Sequence, residues 1–142
     1  MFETQRPKDI FLNQGVASEL GELTYHEFKD PTLNSFSDEV YERNKNTFLN
    51  KQTVPVKPLS SILDEHLPTG KQIDLMNIDV EGLDFEVLQS NDWEKYSPRV
   101  LVIEDHEFDP ENPLESKILK FLKSKGYVLK ANCLISLVLL KE

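Results

Sequence analysis

Acidic side chains follow an apolar run in the middle of the chain, where a strand is expected to end. Asp79 and Glu81 lie two residues apart after the run that closes at Ile78, and Gly82 follows them directly. Carboxylates at such a point can orient an ammonium group, bind a divalent ion or accept a proton from a hydroxyl. They can also serve the structure alone, because acids favour and cap the positive end of a helix. The pattern by itself leaves both interpretations open.

A second polar group follows the next apolar run. Glu104, Asp105 and His106 come directly after residues 100–103. If the two runs are neighbouring parallel strands, their carboxyl ends meet at one edge of the sheet, which places these groups beside Asp79. Crowded carboxylates raise one another's pKa values, and oxygen and imidazole together can ligate a metal. The sequence therefore predicts that five ionisable side chains converge, although a surface role is favoured for His106 taken alone.

Other signatures of chemistry are weak. The five glycines never form the G-x-G pattern of a strand-to-helix cofactor loop. No acid–base partner and no metal ligand stands at a suggestive spacing from His26 or His66 in the sequence. Both histidines are therefore expected at the surface. The segment around Ser35 could touch a substrate, but the sequence gives this little support.

Composition bounds the classes of function. The 142 residues fit one domain, and 25 acidic against 16 basic residues, a formal net charge of −9, argue against a nucleic-acid partner. Cys133 is the only cysteine, so no internal disulfide forms, which predicts a reducing, cytoplasmic compartment. Its apolar surroundings predict a buried thiol. The longest apolar run, residues 133–140, is far short of the ~20 residues of a membrane span, and the amino terminus has no apolar signal segment.

The hydrophobic periodicity predicts an α/β chain. Asn112, Pro113 and Gly126 mark the start and end of the clearest helix, in which Asn112 is the expected N-cap. Residues 29–52 form a long polar excursion with one short helix near residues 38–43, and an excursion of that length is usually functional or disordered. The last two strands are expected to pair antiparallel at a sheet edge. The predicted strands cover residues 9–17, 22–28, 53–57, 73–78, 100–103, 127–130 and 134–140, and the other helices cover residues 58–63 and 82–90.

These motifs, in this order, resemble the FkbM-type methyltransferases. The specific part is residues 73–90 followed by residues 97–107. Residues 11–28 resemble the third strand and following hairpin of that family, and residues 54–65 resemble the strand and short helix before its fourth strand. The resemblance implies a Rossmann-like sheet and transfer of a methyl group from S-adenosylmethionine to a hydroxyl oxygen of a small molecule or glycan.

The resemblance also implies an incomplete fold. The family's first strand, glycine-rich loop and second strand have no counterpart in the sequence. We therefore expect residues 1–142 to be one domain, the carboxyl-terminal portion of a methyltransferase: an incomplete Rossmann-like sheet, mostly parallel with a carboxyl-terminal antiparallel edge pair. Residues 73–78 would then form an open edge detached from the third strand. Such a truncated chain is expected to bind S-adenosylmethionine weakly by itself.

Site roles follow residue by residue from the resemblance. It places Asp79 beside the methyl-transfer centre with Glu81 nearby, and Glu104 with His106 facing the acceptor. Either Asp79 or His106 would be the base that takes the proton of the acceptor hydroxyl. The cofactor-binding residues would be Gly15, Val16 and Asp79, with the first two approaching the adenine, and no metal ligand is assigned.

Two alternatives come from other classes of function. A non-enzymatic Rossmann-like remnant could bind another chain, or a second copy of itself, through its exposed sheet edge by β-augmentation. A metal-dependent enzyme could instead use the acid cluster, although an octahedral oxygen site needs more converging ligands than the sequence guarantees.

Overall fold

The computed structural model describes residues 2–142, which form two mixed β-sheets and several short helices. A helical turn, α1 (Phe2–Gln5), precedes the first sheet. The strands of that sheet lie in the order β1-β3-β2. Its elements are β1 (Gly15–Val16), β2 (Gly21–Phe28), α2 (Asp38–Asn44) and β3 (Phe48–Lys57).

The second sheet carries the predicted strand–helix–strand unit. Its strands lie in the order β4-β5-β7-β6, so that β4 is an edge strand, as expected for residues 73–78. The helices α4 and α5 belong to this half, and α3 connects the two sheets. The elements are α3 (Leu59–His66), β4 (Leu75–Ile78), α4 (Asp84–Gln89), β5 (Val100–Glu104), α5 (Lys117–Ser124), β6 (Tyr127–Cys133) and β7 (Ser136–Lys141).

The expectation of a mostly parallel sheet is wrong. The crossover through α4 brings β5 parallel to β4, as a strand–helix–strand connection does. A tight turn with Leu134 at φ +57° then sends β7 back between β5 and β6, so β7 is antiparallel to both. In the first sheet β1 is parallel to β3, whereas β2 is antiparallel to it. The final antiparallel pair is confirmed, with β6 at the edge and β7 inside the sheet.

The main core lies between the second sheet and the helices α4 and α5. Leu101 and Ile103 of β5 are fully buried on the helical side, because alternate residues of a strand point to the same face. The neighbouring Val100 and Val102 point to the other face and are half-buried. The buried cluster consists of Ile78, Val87, Leu88, Trp93, Leu101, Ile103, Ile118, Leu119, Leu122, Tyr127, Leu137 and Leu139.

The start of α5 differs from the predicted one. Asn112 does not cap the helix; its side-chain amide donates to the Asp109 carboxylate, and residues 113–115 form a 3₁₀ turn. The N-cap is Ser116, whose hydroxyl accepts from the Leu119 N–H at 2.8 Å. The same hydroxyl donates to the buried Asp105 carboxylate at 2.6 Å, so a contact with the end of β5 selects Ser116. Gly126 follows the helix at φ +81°, as predicted for its terminating residue.

Three other local predictions are corrected. The first strand is reduced to β1, because Gly15 and Val16 pair with the end of β3 while residues 10–13 are exposed. Cys133 lies at the end of β6 and is exposed, whereas the sequence predicted a buried thiol. The excursion is shorter than expected, since β3 already begins at Phe48, although its predicted short helix is present as α2. Within residues 2–142 no helix has the length and apolarity needed to cross a bilayer.

Replacing Ser116 by alanine is expected to destabilise the protein by about 2 kcal/mol, because the helix loses its N-cap and the buried Asp105 loses a donor. Asn112→Ala should cost well under half as much, since its partner lies at the surface. Urea unfolding of both variants measures the difference. Equal losses for the two variants would contradict Ser116 as the cap.

Candidate functional site

The turn between β4 and α4 has an unusual backbone. Glu81 has φ +50° and Gly82 has φ +101°. Positive φ is easily adopted by glycine but is uncommon for a residue with a side chain, and it persists only where surrounding contacts hold it. Asp79 is exposed and Glu81 half-buried in this turn, at the carboxyl end of β4.

Asp84 holds the turn from the helix side. Its carboxylate accepts hydrogen bonds from the Val80 N–H at 3.3 Å and the Gly82 N–H at 3.2 Å. Burial raises the pKa of Asp84, and the hydrogen bonds from Gly82 and Val80 oppose that rise. Asp84 was not predicted as a site residue. The signal that could have identified it is its position just after Gly82, the glycine at which the predicted helix begins.

The excursion holds the same turn from the other side. The Ser35 hydroxyl donates to the Glu81 carbonyl oxygen at 2.6 Å. A Cβ on Gly82 would lie 3.4 Å from the Cβ of Ser37, so the two chain segments are in close contact. Residues far apart in the sequence therefore meet at the candidate site.

Four of the five predicted ionisable groups come together. Burial raises the pKa of Glu81, and the neighbouring charges of Asp79 and Glu104 raise it further. The pKa of Glu104 is raised by its burial and by Asp79, while His106 opposes the rise. The His106 Nε2 lies 3.5 Å from a Glu104 carboxylate oxygen. The carboxyl ends of β4 and β5 thus share one acidic site.

Asp105 does not join this group. It is 5% exposed, and its carboxylate accepts from the Ser116 hydroxyl at 2.6 Å and the Glu107 N–H at 3.1 Å. Successive side chains of an extended segment point to opposite sides, so Asp105 cannot share a side with both of its neighbours. Its contacts assign it to the start of α5.

An apolar groove runs along the open edge of β4 next to the acids. It has a volume of about 190 Å³, and Asp79 and Val16 both line it. Gly15 does not line the groove: a Cβ there would come within 2.7 Å of Val56 and 2.9 Å of Phe36, so packing against the protein accounts for the glycine. The lining residues are Val16, Leu59, Met76, Asn77, Ile78, Asp79, Val80 and Val87.

His26 was expected at the surface, but it is 4% exposed. Its ring stacks on Tyr41, with centroids 4.6 Å apart, and its Nε2 lies 3.9 Å from an Asp38 carboxylate oxygen. The Nδ1 atom is buried without a hydrogen-bond partner. The aromatic residues of the excursion, scattered in the sequence, cover this histidine and produce its burial.

A larger cavity of about 400 Å³ lies at the opposite end of β4, bordered by Asp64, Lys71 and Tyr96. It contains none of the predicted site residues, and Asp64 is already engaged by the Tyr96 hydroxyl and Lys95. In the part of the chain that the structure describes, no three His, Cys, Asp or Glu side chains are arranged to hold a metal ion. The metal-dependent alternative therefore gains no support.

Comparison with known proteins gives a family match over most of the chain. Residues 3–129 match the family described as the methyltransferase FkbM domain. The protein named Methyltransferase sdnD, from Sordaria araneosa, is 36% identical over 84 residues, which cover 54% of this chain and 31% of that relative. The chain therefore spans about a third of its length. No solved structure was found to match, and none of these findings supports the interaction-module alternative.

Glu104→Gln is expected to raise the melting temperature near pH 7 by about 2 °C, roughly 0.5 kcal/mol for a domain of this size. A carboxyl whose native pKa is raised above 4.5 binds its proton more tightly in the folded state, so stability falls as the pH rises from there through the native pKa. Glutamine stays neutral at every pH, so the Glu104→Gln variant does not lose stability in this way as the pH rises. Thermal melts between pH 4 and pH 8, with the exposed Glu107→Gln as control, test this. A destabilised Glu104→Gln at pH 7 would refute it.

Proposed function

The chain belongs to the FkbM methyltransferase family, and on that premise we propose that it takes part in methyl transfer from S-adenosylmethionine to a hydroxyl oxygen of a small molecule or glycan. The convergence of Asp79, Glu81, Glu104 and His106 at the carboxyl ends of β4 and β5 carries the proposal. Ligands of open α/β sheets bind at that end of the strands.

The residues present fit part of this cofactor. S-adenosylmethionine supplies a methyl group activated on a positively charged sulfur. Asp79 and Val16 both line an apolar groove, and the Asp79 carboxylate would attract such a cation. The groove of about 190 Å³ is smaller than the ~300 Å³ at which typical small-molecule pockets begin. It would hold one portion of the molecule, and weak binding follows.

The second task at the site is removal of the acceptor proton. His106 is half-exposed, so its ring can reach a bound hydroxyl, and its Nε2 lies 3.5 Å from Glu104. The Glu104 carboxylate would stabilise the imidazolium that forms when His106 takes up a proton. We therefore favour His106 as the base and assign Asp79 to cation binding. Glu81 adds negative charge beside Asp79.

Calorimetry with the purified chain tests the cofactor site. We expect S-adenosylmethionine to bind weakly, with a Kd of about 100 μM or above, because the groove is small and open. It should bind about fivefold more tightly than S-adenosylhomocysteine, whose sulfur carries no charge, since one exposed ion pair is worth roughly 1 kcal/mol. Asp79→Asn should remove that preference.

The matched control is Asp74→Asn, which changes an exposed aspartate at the opposite end of β4 that pairs with Arg99. It should leave both affinities unchanged. An Asp79→Asn variant that keeps the preference for the cation would remove Asp79 from the proposed site.

His106→Gln should lower the rate of methyl transfer by about 100-fold in a panel of hydroxyl acceptors, because it removes the base without removing bulk. The corresponding change in α3, His66→Gln, should have no effect. Transfer of a labelled methyl group from S-adenosylmethionine, measured against pH, gives the rates. An unchanged rate in His106→Gln would exclude His106 as the base.

A further inference from the structure

We propose that Ser35 is a positioning residue for Glu81, so that the excursion before β3 is a working part of the candidate site. The functional meaning of this inference rests on the proposed function, whereas its structural basis does not. The buried hydroxyl of Ser35, in the excursion, fixes a strained peptide unit in the turn after β4.

The peptide unit after Glu81 is the part that needs fixing. Glu81 at φ +50° occupies a conformation that costs free energy for a residue with a Cβ. Asp84 binds the Gly82 N–H, which belongs to the same planar peptide unit as the Glu81 carbonyl, so it holds that unit from one side. The Ser35 hydroxyl holds the same unit from the opposite side, because it donates to that carbonyl oxygen at 2.6 Å.

Ser35 is itself held rigidly. It is 1% exposed, and its hydroxyl accepts from the Ser37 N–H at 2.9 Å while it donates to Glu81. Its backbone exchanges two hydrogen bonds with His26 of β2, at 2.8 and 3.1 Å. Because His26 is in turn packed against Tyr41, the hydroxyl is fixed to the frame of the first sheet. A hydroxyl placed so firmly can impose a backbone geometry on its partner.

The consequence for the site is the placement of the Glu81 side chain. With the carbonyl held, the carboxylate stays half-buried beside Asp79 and Glu104. Without the hydroxyl, the part-buried carbonyl loses this donor and the backbone at Glu81 can relax toward negative φ, which carries the carboxylate away from its neighbours. Preorganised charge of this kind depends on supporting residues that do not touch the ligand.

The decisive experiment is an NMR titration of the Glu81 carboxyl carbon in labelled protein, for the wild type and Ser35→Ala. In Ser35→Ala we expect the Glu81 titration midpoint to fall below that of the wild type by more than the error of the titration, because the carboxylate moves toward solvent and away from Asp79 and Glu104. Ser124→Ala is the matched control, since the Ser124 hydroxyl also donates to a backbone carbonyl, that of Phe121, at 2.6 Å. It should leave the Glu81 midpoint unchanged.

A second variant covers loss of folding. Ser35→Cys keeps the shape of the side chain, with a somewhat larger atom, but replaces the hydroxyl with a weak S–H donor. If Ser35→Ala does not fold, the midpoint in Ser35→Cys decides, and it should also fall. An unchanged Glu81 midpoint in a folded Ser35→Ala or Ser35→Cys variant would overturn the proposal.

Binding of S-adenosylmethionine to the same variants separates the two proposals. We expect about fivefold weaker binding in Ser35→Ala, as the loss of one buried hydrogen bond allows. If the wild type does not bind but the Glu81 midpoint still falls in the variant, the proposed function fails and the positioning role stands. If the wild type binds and the midpoint does not move, the positioning role fails alone.

Discussion

The left-handed turn at Glu81 and Gly82 is the constraint on which the candidate site depends. It ends β4, begins the approach to α4 and directs Asp79 and Glu81 toward the carboxyl end of the sheet. Asp84 binds its N–H groups and Ser35 binds its carbonyl, so the turn is held from both sheets at once. The two halves of the molecule are therefore joined at the place where the chemistry is expected. A change in either half would therefore alter the positions of Asp79 and Glu81.

The clustered acids of the site lower the stability of the folded state. Burial and mutual repulsion raise the pKa values of Glu81 and Glu104. His106 relieves this only in part, because it is half-exposed and lies 3.5 Å from Glu104. An arrangement that costs stability without a bound ligand is typical of sites whose charge is complementary to that ligand. A cation bound beside Asp79 would offset the repulsion among these carboxylates.

The sequence predicted the parts of the site that depend on local pattern. Apolar runs locate β4 and β5, and the rule that parallel strands end at one edge brings Glu104 and His106 to Asp79. The same reasoning failed for Asp105, because it ignored the alternation of side chains along the chain. Ser35 and the buried His26 were beyond local pattern, since their environments come from contacts across the fold. The mostly parallel sheet failed for a related reason: β7 pairs antiparallel with β5 as well as with β6, and β2 pairs antiparallel with β3, and local pattern does not specify these pairings.

The different sequence separations within the molecule imply an order of assembly. The β6–β7 hairpin closes over a turn of two residues, and contacts so local form in about 1–10 μs. The bond from Ser35 to Glu81 spans 46 residues and pays a larger loop-closure entropy before it forms. We therefore expect the carboxyl-terminal sheet to fold first and to act as a template. The acidic site is then expected to be complete only after the excursion docks.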